Sequence, residues 1–207
     1  MKSMWSFFEN YFTPEECKIL TLKCLNMGLK EGFQQATIGG GGRLDTGYRR
    51  CRLVSIDYDV MPTIFDKFVD AVSGANREWF GNLDINRLGY VQFMEYDVDT
   101  GGYYKEHGDV IYLDPANDES EAIDLTPVTE HRKISFTLQL TDSSEYEGCD
   151  LELNESDYET TGPLPHDKIR EQGTLVVFPS FVRHKITPIT KGIRYSIVGW
   201  VTGPNWR

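Results

Sequence analysis

Four histidines occur in the chain, and one of them opens a His-x-Asp triplet, His107-Gly108-Asp109. On an extended strand residues i and i+2 point to the same side, so this imidazole and this carboxylate can converge on one ion. Gly108 between them removes a side chain and lets the strand end bend. A second imidazole, His184, follows the apolar run Thr174-Leu175-Val176-Val177-Phe178 and a Pro179-Ser180 turn, and that strand can return it to the same spot. Two histidines and one carboxylate occupy one face of an octahedron and leave three positions open. This is the arrangement expected of Fe(II) enzymes that bind an oxo-acid and O2 together. A bare His-x-Asp also arises by chance as a surface histidine beside a solvated aspartate. His131 and His166 have no partner at metal spacing and read as surface residues.

Arg194 stands ten residues after His184. The intervening Lys185-Ile186-Thr187-Pro188-Ile189-Thr190-Lys191-Gly192-Ile193 reads as strand, turn and strand. Such a hairpin is expected to bring Arg194 beside His184 on the neighbouring strand. There its guanidinium can bind, bidentately, the far carboxylate of an oxo-diacid chelated to the metal. The alternative is an ordinary strand-edge arginine.

Elements able to position these residues are legible on both sides. Thr13-Pro14-Glu15-Glu16 is a helix start, with Thr13 as N-cap, Pro14 in the first turn and Glu16 closing a capping box. Ile19, Leu20, Leu22, Cys24, Leu25 and Leu29 continue a helical pattern to about residue 30. Pro62 opens a second helix with Ile64, Phe65, Phe68, Val69 and Val72 as its apolar stripe. Short β-branched and aromatic runs follow at Leu88 to Tyr96, Ile134 to Thr141, Asp150 to Asn154, Thr174 to Phe178 and Ile193 to Thr202, with an earlier one at Cys51 to Asp57. Helices followed by many irregularly spaced strands predict an α+β protein whose sheets form a sandwich or jelly roll. Three polar stretches read as loops: Gly39 to Gly47, Asp114 to Glu130 and Asn154 to Gly173.

The chain has 207 residues, with 21 Lys plus Arg against 32 Asp plus Glu, a formal charge of −11. The length suits a single domain. An acidic surface repels phosphate backbones, so nucleic acid is a poor expectation as partner. No apolar run is long enough to cross a membrane, and Glu9 interrupts the opening before a signal-peptide core could form, which predicts a cytoplasmic protein. Cys17, Cys24, Cys51 and Cys149 contain no Cys-x-x-Cys pair and read as small buried hydrophobes.

Taken together, these stretches resemble the prolyl-4-hydroxylase-like branch of the Fe(II)/2-oxoglutarate dioxygenases, including the PKHD-type hydroxylases. The resemblance runs through Tyr96-Asp-Val-Asp-Thr-Gly-Gly-Tyr-Tyr-Lys-Glu-His107-Gly-Asp109, Ile134-Ser-Phe-Thr-Leu-Gln-Leu-Thr141, Tyr146-Glu-Gly-Cys-Asp-Leu-Glu-Leu153, and Gly173 through His184 to Arg194 and Trp200. It implies a double-stranded β-helix (jelly roll, cupin-like) over about residues 86–203, with supporting helices in about the first 85. It implies His107, Asp109 and His184 as iron ligands, Arg194 as anchor of 2-oxoglutarate, and Tyr96 and Gln139 as further contacts of that cosubstrate. Trp200 is expected to wall the pocket and Tyr104 to pack beside the metal. Cys149 stands where a second glycine of a Gly-Gly turn is usual. The glycine run Gly39, Gly40, Gly41 and Gly42, ahead of Arg49, sits where that branch carries a lid over its substrate. The implied reaction uses Fe(II), 2-oxoglutarate and O2, with ascorbate as reductant, and hydroxylates a protein or peptide, at proline in the first instance. Alternatives are a small-molecule hydroxylase of the same chemistry and a non-catalytic cupin-like binding module.

Overall fold

Thr13 caps the first helix as its sequence requires: its side chain accepts from the Glu16 amide, and the Glu16 carboxylate accepts from the Thr13 amide. A computed structural model of the chain describes residues 1–38, 43–110, 130–154 and 166–206. Strand β1 (Ser6–Phe8) precedes helix α1 (Pro14–Glu31), and β2 (Gln34–Gln35), β3 (Arg49–Arg50) and β4 (Arg52–Ile56) lead to α2 (Pro62–Glu78). Next come β5 (Arg87–Asp97), β6 (Tyr103–His107), β7 (His131–Gln139), β8 (Glu147–Gly148), β9 (Leu151–Leu153) and the one-turn α3 (His166–Ile169). The last strands are β10 (Leu175–Pro179), β11 (His184–Ile186), β12 (Ile189–Lys191) and β13 (Ile193–Gly203).

The strands form a seven-stranded sheet in the order β1-β10-β7-β13-β5-β4-β2, a four-stranded sheet β3-β6-β11-β9, and the pair β12-β8. All pairings are antiparallel. This is the double-stranded β-helix, or jelly roll, expected from the sequence.

The two-residue period of the strands divides the large sheet into two faces with different work. Val91 and Phe93 of β5, Ile134, Phe136 and Leu138 of β7, and Ile197 and Val201 of β13 pack against α1 and α2 in one core. Their neighbours Met94 and Tyr96, Ser135 and Thr137, and Arg194, Ser196, Val198 and Trp200 face the opposite way, into a cavity shared with the four-stranded sheet. Phe68 of α2 is fully buried at the centre of the first core, its ring 5.6 Å from Phe12 and 4.6 Å from Phe136. Gly199 leaves the space that the Phe136 ring fills, so even a methyl group there meets the ring.

Helix α1 buries a narrower stripe than its apolar residues suggest. Cys17, Leu20, Cys24 and Gly28 face the core, whereas Ile19, Leu22 and Leu29 are exposed. The reason is geometric: a helix lying on a sheet covers only the 3-4-4 spacing of one face. On α2, Ile64, Phe65, Phe68 and Val72 are buried as expected, and Val69 is exposed. All four cysteines are buried free thiols. Among the described residues no helix is long and apolar enough to cross a membrane.

Phe68→Ala removes a ring from the helix–sheet core and is expected to lower unfolding free energy by about 3–5 kcal/mol. Urea denaturation of the variant against the parent measures it, and a loss below about 1 kcal/mol would contradict the packing described.

Candidate metal centre and active site

His107 and His184 face each other as a cross-strand pair between β6 and β11, with ring centroids 4.2 Å apart. Strand β6 ends at His107, and the chain bends through Gly108 so that Asp109 leaves the ladder. Asp109 and Val110 then donate their amides to the Ser180 carbonyl, at 2.9 and 3.3 Å. The Asp109 carboxylate thus reaches the same point: its oxygens lie 3.7 Å from His107 Nε2 and 3.6 Å from His184 Nε2. One ligand atom from each of the three residues lies within 4.8 Å of the others.

The contacts around this cluster set which atoms face inward. His107 Nδ1 is 2.8 Å from the Lys105 carbonyl and His184 Nδ1 is 3.0 Å from that of Val182. A carbonyl accepts only, so each Nδ1 carries a proton and each Nε2 is the nitrogen that faces the carboxylate and is placed to bind a metal. Ser135 Oγ donates to Asp109 Oδ2 at 2.7 Å and is itself 2.9 Å from Ser180 Oγ. Tyr104 stacks on His107 at 3.5 Å, and Phe178 meets His184 edge-on at 4.8 Å. Burial, followed by the His184 charge, pushes His107 down to about 3. For Asp109, burial alone would raise the carboxyl; both imidazoles, Arg132 and the Ser135 hydrogen bond outweigh it and hold it below its ordinary range. An imidazole held neutral at His107, a second inward-facing imidazole nitrogen at His184 and an ionised carboxylate form a donor set that fits a divalent transition metal.

Arg194 is 2% exposed, the largest fully buried side chain described. It pairs in register with Tyr96 on β5, its guanidinium 5.8 Å from the Tyr96 ring centroid. Gln139 of β7 lies opposite Ser196, hence diagonal to Arg194, and its Oε1 accepts from Nε at 3.1 Å and Nη2 at 2.7 Å. Arg194 Nη1 and Ser196 Oγ are buried, line the cavity wall and have no hydrogen-bond partner among the described residues. A buried guanidinium corner next to a hydroxyl can accept a hydrogen-bonding anion such as a carboxylate. Ser196 is a functional candidate that motif reading missed, although the i+2 step from Arg194 along β13 points to it.

One expectation needs correction. Arg194 is not on the strand neighbouring His184, because β11 belongs to the four-stranded sheet and β13 to the seven-stranded one. The intervening β12 pairs with β8 instead. Arg194 and His184 therefore meet across the cavity from opposite sheets. Tyr96, Trp200 and Tyr104 line this cavity of about 550 Å³. Arg49 lies on β3, and its guanidinium sits 4.4 Å over the Tyr104 ring. Gly39, Gly40, Gly41 and Gly42 lie outside the described residues; Ile38 and Arg43, which flank them, form an antiparallel bridge. Cys149 adopts the left-handed φ of 55° that the glycine of its turn would supply, following Gly148 at 70°.

The sequence model of the 2OG-Fe(II) oxygenase superfamily matches residues 91–202, and the chain belongs to that superfamily. A PKHD-type hydroxylase of Synechococcus sp. (strain CC9311) is 30% identical over 110 residues, 53% of this chain and 41% of that protein. Another, of Synechococcus sp. (strain JA-2-3B'a(2-13)), is 38% identical over 68 residues, 33% of this chain and 28% of that protein. The chain thus matches less than half the length of these relatives. A crystal structure of a Pseudomonas putida prolyl-4-hydroxylase superposes with a TM-score of 0.68 at 18% identity, covering 96% of this chain and 92% of that one. A Trichoplax adhaerens prolyl hydroxylase, in complex with a peptide fragment of the hypoxia inducible factor oxygen degradation domain, gives 0.70 at 16% identity, covering 96% and 83%. At these identities the structures share the fold.

The site makes metal-free protein acid-labile. His107 in the folded chain stays neutral down to about pH 3, whereas the unfolded chain takes up that proton near its ordinary value of 6.5. The unfolded state binds more protons across that window, so stability falls as pH falls through it. Asp109, lowered in the folded state, acts in the same direction at the acid end. The urea midpoint of metal-free protein is expected to drop between about pH 7 and about pH 4.5, and His107→Leu to flatten that slope. Identical slopes for the two proteins would show that His107 is not held neutral.

Proposed function

We propose that this chain is an Fe(II)- and 2-oxoglutarate-dependent hydroxylase, with His107, Asp109 and His184 as the iron ligands. Arg194, supported by Gln139 and Tyr96 and joined by Ser196, receives the far carboxylate of 2-oxoglutarate. The observation that carries this is a single cavity holding both halves: an inward-facing His-Asp-His cluster and, across it, a buried arginine with an unpartnered donor. When bound, iron and cosubstrate supply the O2-dependent oxidation that turns 2-oxoglutarate into succinate and CO2 and delivers a hydroxyl group. The chain's residues orient and shield. Ser135 fixes the Asp109 carboxylate, the Lys105 and Val182 carbonyls fix the two imidazole tautomers, and Phe178 and Tyr104 wall the cluster from water.

As substrate we propose a peptide, hydroxylated at proline. Support comes from the shared fold with prolyl hydroxylases, one of them holding a peptide. A fold hosts many substrates, so this is an argument by analogy. The cavity volume favours a second reading, a small molecule enclosed between the sheets, since about 300–1,000 Å³ is the range of small-ligand pockets. In either case we read helical support and jelly roll as one unit, because α1 and α2 share their core with the large sheet.

With Fe(II), ascorbate and 2-oxoglutarate the purified protein is expected to release succinate, slowly without its substrate. His184→Ala removes a ligand and is expected to abolish that release; unchanged turnover would defeat the metal assignment. Arg194→Ala leaves the cosubstrate carboxylate unpaired, a loss of about 3–5 kcal/mol, or a hundredfold or more in affinity. Its Michaelis constant for 2-oxoglutarate should rise accordingly while iron binding is retained, and an unchanged constant would remove Arg194 from the site.

A further inference from the structure

Among the described residues four arginines line the cavity, Arg49, Arg132, Arg183 and Arg194, against one acid, Asp109. This is the reverse of the whole chain, which carries −11. Two of the four are accounted for. Arg183 pairs with Glu106 at 2.8 Å, and Arg194 faces the cosubstrate carboxylate on the reading above, on which this inference rests. The divalent metal, Asp109, Arg194 and a dianionic 2-oxoglutarate together carry no net charge. Arg49 and Arg132 then remain as two positive charges with no carboxylate bonded to them among the described residues.

Neither is held as a surface arginine would be. Arg49 donates to the Thr37 carbonyl at 3.1 Å and to Cys51 Sγ at 3.1 Å, and lies over the Tyr104 ring. The Arg132 guanidinium carbon lies over the Trp200 ring, 3.8 Å from its centroid, and its side chain makes no hydrogen bond among the described residues. Trp200 stands opposite Ser135 in the sheet, so Arg132 reaches the cavity beside the serine that holds Asp109. Burial lowers the Arg132 guanidinium from its ordinary range; Asp109 acts against that and the Arg49 charge with it. Two guanidinium groups that repel one another in a partly dry cavity, both braced by aromatic rings, are stable partners for an incoming anion and costly without one.

We propose that the substrate carries a carboxylate, bound between Arg49 and Arg132 next to the carbon that is hydroxylated. An acidic residue flanking the target in a peptide and the free carboxylate of a small molecule would both satisfy the pair. The −11 charge of the chain disfavours a polyphosphate backbone as the source of the anion.

The test is calorimetric titration of the full chain loaded with Mn(II), a redox-silent stand-in for iron, and 2-oxoglutarate. The probes are matched pairs: end-blocked Gly-Glu-Pro-Gly and Gly-Pro-Glu-Gly against their Gln counterparts, and N-acetylproline against N-acetylprolinamide. We expect the acid member of at least one pair to bind tenfold or more tightly than its amide, a charge-assisted contact being worth about one decade. In Arg132→Gln and Arg49→Gln that ratio should fall toward one, and Arg132→Lys should restore part of it. A preference confined to the peptides assigns the carboxylate to a flanking side chain; one confined to the acetylated pair assigns it to a small molecule. Equal binding of acid and amide, failure of every acid member to bind below about 1 mM, or a ratio unchanged in both glutamine variants overturns the proposal. Mn(II)-dependent binding of 2-oxoglutarate is measured first, so its absence defeats the hydroxylase reading separately.

Discussion

Asp109 places an ionised carboxylate in a nearly dry site, 8% exposed, and much of the architecture answers that constraint. A carboxylate removed from water needs donors or cations at every oxygen. Ser135 from β7 supplies a hydroxyl donor, while His107 on β6 and His184 on β11 bring their inner nitrogens to 3.7 and 3.6 Å of the carboxylate, where a shared cation would complete the set. The Asp109 amide is tied to Ser180, whose own amide is tied to Lys133, so the turn after β10 and the start of β7 are locked to the same residue. The imidazoles answer a matching constraint. Their Nδ1 protons are taken up by local carbonyls, which leaves the inner nitrogens aimed at a position where a cation would relieve every group at once.

Across the cavity, Arg194 presents the opposite problem, a buried cation. Its solution is incomplete within the described residues: one side-chain oxygen, Gln139 Oε1, serves two of its nitrogens and leaves Nη1 unpartnered. Incompleteness of this kind is expensive in a core and useful in a receptor, where the missing partner arrives as ligand. The large sheet carries this burden because its other face is anchored by an aromatic core of Phe12, Phe68 and Phe136. Apolar burial on one side holds polar, partly unsatisfied groups in place on the other.

A good part of this was legible from the chain. Capping at Thr13, the two helices and six strand segments depend on local chemistry: hydrogen bonds within four residues, φ fixed by proline, and side-chain alternation. The convergence of His107, Asp109 and His184 was legible because the first two are two residues apart and the third follows a strand able to return to them. Placing Trp200 on the Arg194 face needed only the period of two. Even the strain at Cys149 was announced by a cysteine standing where glycine is usual.

Tertiary structure decided everything that depends on which strands pair. Arg194 approaches the His-Asp-His cluster from the opposite sheet because β13 inserts between β5 and β7, partners more than fifty residues away, in preference to folding back on β11. The same insertion sets Gln139 diagonal to Arg194, puts Ser196 on the cavity wall, and places Arg132 over Trp200. It also decided that Ile19, Leu22 and Leu29 remain outside while Cys17 and Cys24 go in, since the sheet is broad and a helix offers it one face. Local periodicity states which residues share a side; it carries no information about what that side will meet, because non-local pairing is chosen by the burial of the whole sheet.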